Sequence, residues 1–168
     1  MKSTVEIERK FIIMRPDIAQ LSTCENFTES RIEQIYLEAP HGRTRRIRSR
    51  ERDGVCVYTE TEKLRIDGIS ALETESEITR ERYLSLKERI RADSRPINKT
   101  RYTFLFGDHL FEVDVYPEWQ RCAVMEVELP SRETEVELPC FVEVVKEVTG
   151  DKKYSNSSMA SIFPSEPI

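Results

Sequence analysis

Glu6-Ile7-Glu8-Arg9-Lys10-Phe11 is the stretch on which the reading of this chain turns. Side chains alternate across an extended strand, so Glu6, Glu8 and Lys10 share one face, and Val5, Ile7 and Phe11 share the other, with Arg9 the exception. One face is therefore wholly ionised and the other largely apolar. The same division recurs down the chain. In 43–52, Arg46, Arg48 and Arg50 line up opposite Ile47; in 71–79, Glu73, Glu75 and Glu77 oppose Leu72 and Ile78. In 97–107, Lys99 and Arg101 oppose Tyr102 and Phe104; in 110–116, Glu112 and Asp114 oppose Phe111, Val113 and Val115. In 121–130, Glu126 and Glu128 oppose Met125, Val127 and Leu129.

This period of two gives strands over 4–14, 31–38, 43–52, 55–64, 71–79, 97–107, 110–116 and 121–130. Turn dipeptides separate several of them: His41-Gly42, Asp53-Gly54, Asp67-Gly68 and Gly107-Asp108. Helices are predicted over 16–25, over 79–92 with Thr79 as N-cap, and over 139–149 between Pro139 and Gly150. About eight strands with few helices predict an α+β, mainly β fold: an antiparallel closed barrel or strongly curved sheet with a few outer helices. With no repeat, linker or low-complexity segment, residues 1–168 read as one domain.

Composition narrows the function classes. Charged residues make up 34% of the chain and hydrophobic ones 38%, but the charges are interleaved with Val, Ile, Phe and Tyr, which favours a folded chain over a disordered one. The net charge of -5 gives no global attraction for nucleic acid, so any anion site must be a local cluster of Lys and Arg. Cys24, Cys56, Cys122 and Cys140 form no CxxC pair, and His41 and His109 are the only histidines, so no structural zinc site is expected. No signal peptide and no membrane helix are expected, and a reducing, cytoplasmic setting fits best. Trp119, beside Pro117, reads as a packing residue or an outer clamp.

Two readings of the ionised faces stay open on this pattern alone. A sheet with one dry and one solvated face accounts for each strand singly. The alternative is a barrel turned inside out, with charge in the bore and apolar faces outward against the helices. Buried charge is expensive unless paired or metal-bound. A bore lined by both signs suits a polyanion that arrives with divalent metal, Arg and Lys taking phosphate oxygens and carboxylates holding Mg2+ or Mn2+.

In order along the chain, the motifs resemble those of the CYTH superfamily, the triphosphate tunnel metalloenzymes. Glu6-Ile7-Glu8-Arg9-Lys10 resembles its ExExK signature, Gln34-Ile35-Tyr36-Leu37 its second-strand Tyr-Leu motif, Arg46-Ile47-Arg48 its RxR strand and Thr61-Glu62-Lys63 its TxK strand. Glu73-Thr74-Glu75-Ser76-Glu77-Ile78 resembles ExExEI, with Ala71 where many members have Arg. Lys99-Thr100-Arg101-Tyr102, Glu112-Val113-Asp114-Val115-Tyr116 and Glu126-Val127-Glu128-Leu129 follow, and Glu147-Val148-Thr149 with Lys153-Tyr154-Ser155-Asn156 resembles the closing segment, Lys153 replacing a more usual Arg. The match runs from residue 5 to about 160.

The resemblance implies an eight-stranded antiparallel tunnel for triphosphate and the hydrolysis of inorganic triphosphate to diphosphate and phosphate. Thiamine triphosphatase, nucleoside triphosphatase, class IV adenylate cyclase and a non-catalytic phosphate binder are the alternatives. It assigns substrate to Lys10, Arg46, Arg48, Lys63, Lys99, Arg101 and Lys153. It assigns metal to Glu6, Glu8, Glu126 and Glu128, with Asp114 and Glu75 as further candidates. Lys10 with Tyr36 hydrogen-bonded to it is the candidate catalytic pair. A small triphosphate-containing molecule is the expected partner, nucleic acid and membrane are not expected, and a homodimer is compatible with the pattern.

Overall fold

The structure is a computed structural model and describes residues 2–168. Nine antiparallel strands form one sheet: β1 (Lys2–Met14), β2 (Glu25–Leu37), β3 (Arg43–Arg52), β4 (Val55–Arg65), β5 (Ser70–Ile78), β6 (Ile97–Phe106), β7 (His109–Val115), β8 (Cys122–Glu128) and β9 (Val144–Glu147). Their order is β5-β4-β3-β2-β6-β7-β8-β1-β9, and a β5–β1 pairing closes the first eight into the predicted barrel. Asp53 and Gly54 both take positive φ (51° and 79°), which the right-handed twist of a two-residue hairpin between β3 and β4 requires.

The long first strand makes the closure. Residues 2–7 pair with β5 on one edge, and residues 8–14 pair with β8 on the other. Beyond Ile7 the first edge would be bare. There β9 takes it, pairing with Phe11, Ile12 and Ile13. This is why the helix expected over 139–149 does not form. A strand edge was available for its backbone, and Val144 and Val145 are β-branched residues that suit a strand. It also accounts for Arg9, the misfit of the opening motif. Its guanidinium lies on the outer side, where Nε and Nη2 each donate to Glu147 of β9 at 2.9 Å.

The other helices are shorter than their patterns. Helix α1 is one turn (Ile18–Leu21), because the Ser22 and Thr23 hydroxyls return to the carbonyls of Ala19 and Gln20 and end it. β2 therefore begins at Glu25, six residues before its predicted start, behind a bulge at Asn26. Helix α2 (Arg80–Lys87) starts as expected with Thr79 accepting from the Arg82 N–H at 3.1 Å. It stops early because the following chain is drawn onto β2: Ile90 bridges Leu37, and the Arg91 N–H donates to the Tyr36 carbonyl at 2.8 Å. The sequence reading lacks a 3-10 turn (Lys152–Tyr154) and helix α3 (Asn156–Ser161).

Apolar faces do point outward, but helices cover only part of them. Helix α2 lays Tyr83 and Leu86 on Ile35, Leu37 and Ile47. The larger face, around Phe11, Phe104, Phe111 and Met125, is covered by α1 and by the irregular segment carrying Leu138, Phe141 and Val142. Each such aromatic contributes about 1.5–3 kcal/mol by burial. One end of the bore is plugged by Ile12, Ile97, Tyr116, Trp119 and Val124 under α3. Trp119 is a packing residue, with its indole N–H donating to the Pro164 carbonyl at 2.9 Å.

The wall beside β1 leaves no room at one point. Gly150 has φ +75°, and a Cβ there would meet the Gly68 carbonyl oxygen at 2.9 Å, whereas a Cβ on Gly68 meets nothing within 4 Å. Gly150→Ala should therefore lower stability by about 2 kcal/mol or more, as a shift in urea midpoint, with Gly68→Ala near neutral. Equal effects of the two substitutions would contradict this packing.

Candidate active site

The inward faces of the barrel enclose a cavity of about 930 Å³ with two chemically opposite walls. One wall belongs to β3 and β4. Arg46 stands opposite Tyr36 and Thr61, Arg48 opposite Gln34 and Thr59, and Lys63 opposite Glu73 of β5. Their acidic contacts are loose: Arg46 to Glu73 at 3.8 Å, Lys63 to Glu73 at 3.5 Å, Arg48 to Glu75 at 3.4 Å. The Glu75 oxygen that meets Arg48 also accepts the Thr61 hydroxyl at 2.8 Å. Burial and the neighbouring Arg46 pull Arg48 down to about 10. The Nε atoms of Arg46 and Arg48 are buried without any hydrogen-bond partner; among the described residues only the Thr59 hydroxyl shares that condition. A buried unpaired donor costs about 1–3 kcal/mol. An oxygen-rich anion in the cavity would satisfy these guanidinium groups.

The opposite wall is acidic and belongs to β1 and β8, with help from β5. Glu8 is in direct register with Glu128. Glu6 lies beside Glu73, and burial, a hydrogen bond to Glu73 and repulsion from Glu73 and Glu128 push it up to about 8. Glu128 is raised by burial and by Glu112, Glu8 and Glu73. Glu6, Glu8 and Glu128 form no ion pair with the described residues. These three are oxygen donors in excess of the local positive charge, the chemistry that fits a hard divalent cation. As the side chains stand, no three His, Cys, Asp or Glu among the described residues are close enough to enclose a metal ion.

Between the walls runs a ladder of paired charge. Asp114, 1% exposed, accepts from Lys99 Nζ at 2.6 Å and from Arg101 Nε and Nη2 at 2.6 and 2.7 Å. Arg101 also pairs with Glu112 and, at 3.6 Å, with Glu126, which holds Lys10 at 2.8 Å. Burial opposes ionisation of Glu126, but Lys10 and Arg101 prevail and bring it down to about 2. Burial likewise pulls the Lys10 ammonium down, yet Glu126, Glu8 and Asp114 outweigh it, and Lys10 stays protonated above its ordinary range.

The structure brings thirteen of the fourteen candidates from the sequence to the cavity or its rear wall: Glu6, Glu8, Lys10, Tyr36, Arg46, Arg48, Lys63, Glu75, Arg101, Glu126 and Glu128 line it. Lys99 and Asp114 lie buried behind it, and the fourteenth, Lys153, lies outside. The Lys153 ammonium sits over the Tyr154 ring at 5.4 Å, and Lys152 lines the cavity in its place. The 3-10 turn that Asp151 caps sets this one-residue offset, because adjacent side chains of a helical turn diverge. The Lys10–Tyr36 contact is also corrected. The Tyr36 hydroxyl accepts from Gln34 at 3.2 Å and lies beside Arg46, while Lys10 is held by Glu126 and, at 3.5 Å, by the Tyr154 carbonyl. Glu73 and Glu112 also line the site and are absent from the sequence-based set. Their i, i+2 pairing with Glu75 and Asp114 was the available signal.

No protein-family model matches the chain, and no curated protein matches it. Solved structures do. The inorganic triphosphatase NE1496 is 28% identical, with 95% of this chain and 96% of that chain covered and a TM-score of 0.60. PH1819 from Pyrococcus horikoshii OT3 is 20% identical, over 76% of this chain and 80% of that one, with a TM-score of 0.59. HpAC1 from Hippeastrum, a putative adenylyl cyclase described as having dominant triphosphatase activity, is 15% identical, over 76% and 81%, with a TM-score of 0.55. The last two likenesses speak for the fold.

The acid wall makes a prediction for metal-free protein. Glu6 ionises at about 8 when folded against 4.5 ordinarily, so the folded chain keeps a proton that the unfolded chain has lost. Stability must then fall as pH rises across that window, here about pH 5 to pH 8. In EDTA the melting temperature should drop over this range, and Glu6→Gln should flatten the drop. An unmodified protein with a rising or level profile would contradict the shared-proton arrangement.

Proposed function

We infer that this chain is a triphosphate tunnel enzyme of the CYTH superfamily, and that it hydrolyses inorganic triphosphate to diphosphate and phosphate with the help of a divalent metal. The observation that carries this reading is the pair of facing walls: buried Arg46 and Arg48 donors without partners on one side, and unpaired Glu6, Glu8 and Glu128 on the other. The likeness to an inorganic triphosphatase over nearly the full length of both chains supports it.

Arg46, Arg48 and Lys63 would receive the phosphate oxygens along β3 and β4, with Lys10 and Arg101 reaching the chain from the ladder. These side chains are fixed by their strands before substrate arrives, so little reorganisation accompanies charge build-up on the leaving diphosphate. Glu6, Glu8 and Glu128 would hold the metal, Mg2+ or Mn2+, once their side chains converge. Bound there, the ion supplies Lewis-acid charge at the phosphates. Glu75, Asp114 and Glu126 serve it less well, because each already answers a cation at 2.6–3.4 Å. Lys10 serves as a cation. A general base needs a free lone pair near neutral pH, and the acids around Lys10 keep its proton on. Tyr36, the cross-strand partner of Arg46, would orient its guanidinium.

The test is phosphate release from inorganic triphosphate, ATP and thiamine triphosphate with Mg2+ and with Mn2+. Inorganic triphosphate should be the best substrate. Arg48→Ala and Glu128→Gln should each cut its turnover by about 100-fold. Cyclic AMP as the main product from ATP, or full activity in Glu128→Gln, would refute the assignment.

A further inference from the structure

Asp114 shares a strand face with Glu112 and stands among the metal candidates of the sequence pattern, but every feature of its placement turns it away from a metal. Both of its oxygens are engaged: Oδ1 by Arg101 Nε at 2.6 Å, Oδ2 by Arg101 Nη2 at 2.7 Å and by Lys99 Nζ at 2.6 Å. The Asp114 side chain is 1% exposed and that of Lys99 is fully buried. Asp114 does not border the cavity, whereas Arg101 does. To ligate a metal it would have to release two buried cations at once, which is strongly unfavourable.

The contact with Arg101 has the geometry of a clamp. A guanidinium is planar and rigid, so holding Nε and Nη2 fixes the direction of Nη1 as well. Of its five N–H groups, Asp114 takes two; Glu112 stands in ion-pair contact with Nη1, and a Glu126 oxygen lies 3.6 Å from Nη2. The N–H groups that Asp114 leaves, on Nη1 and Nη2, belong to a residue that lines the cavity. Lys99, pinned between Asp114 and the Tyr116 ring at 5.9 Å, stops the carboxylate from turning.

We propose that Asp114 is a positioning residue that acts through Arg101, presenting its remaining N–H groups to the phosphate chain, and that it does not hold the metal. The proposal rests on the triphosphate reading above. Its signature is a sign. Removing a carboxylate near an anion site favours the anion by Coulomb's law, so an Asp114 that only held metal, or only filled space, would leave metal-free triphosphate binding unchanged or tighter after Asp114→Asn. A clamp makes it weaker.

The experiment is calorimetric titration with inorganic triphosphate in EDTA, together with Mn2+ binding followed by electron paramagnetic resonance. Asp114→Asn and Arg101→Lys should each weaken metal-free triphosphate binding about tenfold, the scale of one charge-assisted hydrogen bond, and the double substitution should do little more than either alone. Asp114→Glu, which keeps the charge and the Lys99 pair but moves the fork, should lose less and is the variant to use if Asp114→Asn folds poorly. Mn2+ affinity should hold in all of them. Unchanged or tighter triphosphate binding in Asp114→Asn, losses that multiply in the double variant, or lost Mn2+ affinity in Asp114→Glu would overturn the proposal alone. An unmodified protein that takes up no triphosphate would overturn the reading of the cavity, and this proposal with it.

Discussion

Charge placed inside a closed barrel has to be answered inside it. Once β1 joins β5, the inward faces of eight strands are withdrawn from bulk water, and each ion there needs a partner within reach. Cross-strand neighbours supply it, since side chains opposite one another in a ladder stand about 5 Å apart. The register sets Lys10 against Glu126, Lys63 against Glu73 and Arg101 against Asp114. A slip of one residue would move a whole strand's charges to the outer face, against Phe104 or Ile47. Register, electrostatics and core packing are thus one constraint.

Where pairing is complete the bore's charges are answered by the protein, and where it is incomplete they are left for a ligand. The ladder from Lys99 to Lys10 leaves almost no charge unanswered. The walls on either side do. One has buried guanidinium donors without acceptors, the other has carboxylates so buried and so close to one another that Glu6 holds a proton up to about 8. The two excesses face each other across about 930 Å³ and cannot neutralise one another without closing it. A fully apolar interior would be the less costly core. The charges are better understood as half of a structure whose other half, on the function we propose, is a polyanion with its metal.

Much of this was legible from alternation, because a strand's two faces are written at a period of two. The charged and apolar faces follow from Glu6-Ile7-Glu8, Arg46-Ile47-Arg48 and Glu126-Val127-Glu128, while the closed barrel with a charged bore was one of two readings that alternation left open and the one that the family resemblance implied. What was not legible depends on neighbours that the local sequence does not contain. Residues 144–147 have apolar and polar residues in an order that fits a helix, and only the vacant edge of β1 makes them a strand. Lys153 and Lys152 are chemically equivalent, and the cap by Asp151 decides which one faces the cavity. The segregation of carboxylates into metal candidates and cation partners is also a matter of distance. Glu126 and Glu128 look alike in the strand, yet one sits 2.8 Å from Lys10 and the other beside Glu8.

The opening motif gains its roles from the way its strand changes neighbours. Lys2 to Ile7 pair with β5 on one edge, Glu8 to Met14 pair with β8 on the other, and Phe11 to Ile13 are flanked by both β8 and β9. Between the β5 and β9 pairings, the edge of β1 away from β8 is held by single bonds: the Glu8 N–H to the Ile69 carbonyl at 3.2 Å, the Lys10 N–H to the Thr149 hydroxyl at 3.0 Å, and the Val148 N–H to the Lys10 carbonyl at 2.8 Å. Three charges on one face therefore meet three different surroundings. Glu6 meets Glu73 of β5, Glu8 meets Glu128 of β8, and Lys10 meets Glu126 one pair deeper. A strand with the same neighbours throughout would give all three similar partners. The seam that closes the barrel is what lets one short motif place carboxylates outside any ion pair of the described residues at its start and a paired ammonium at its end, the arrangement from which we propose a metal role for the first and a phosphate role for the second.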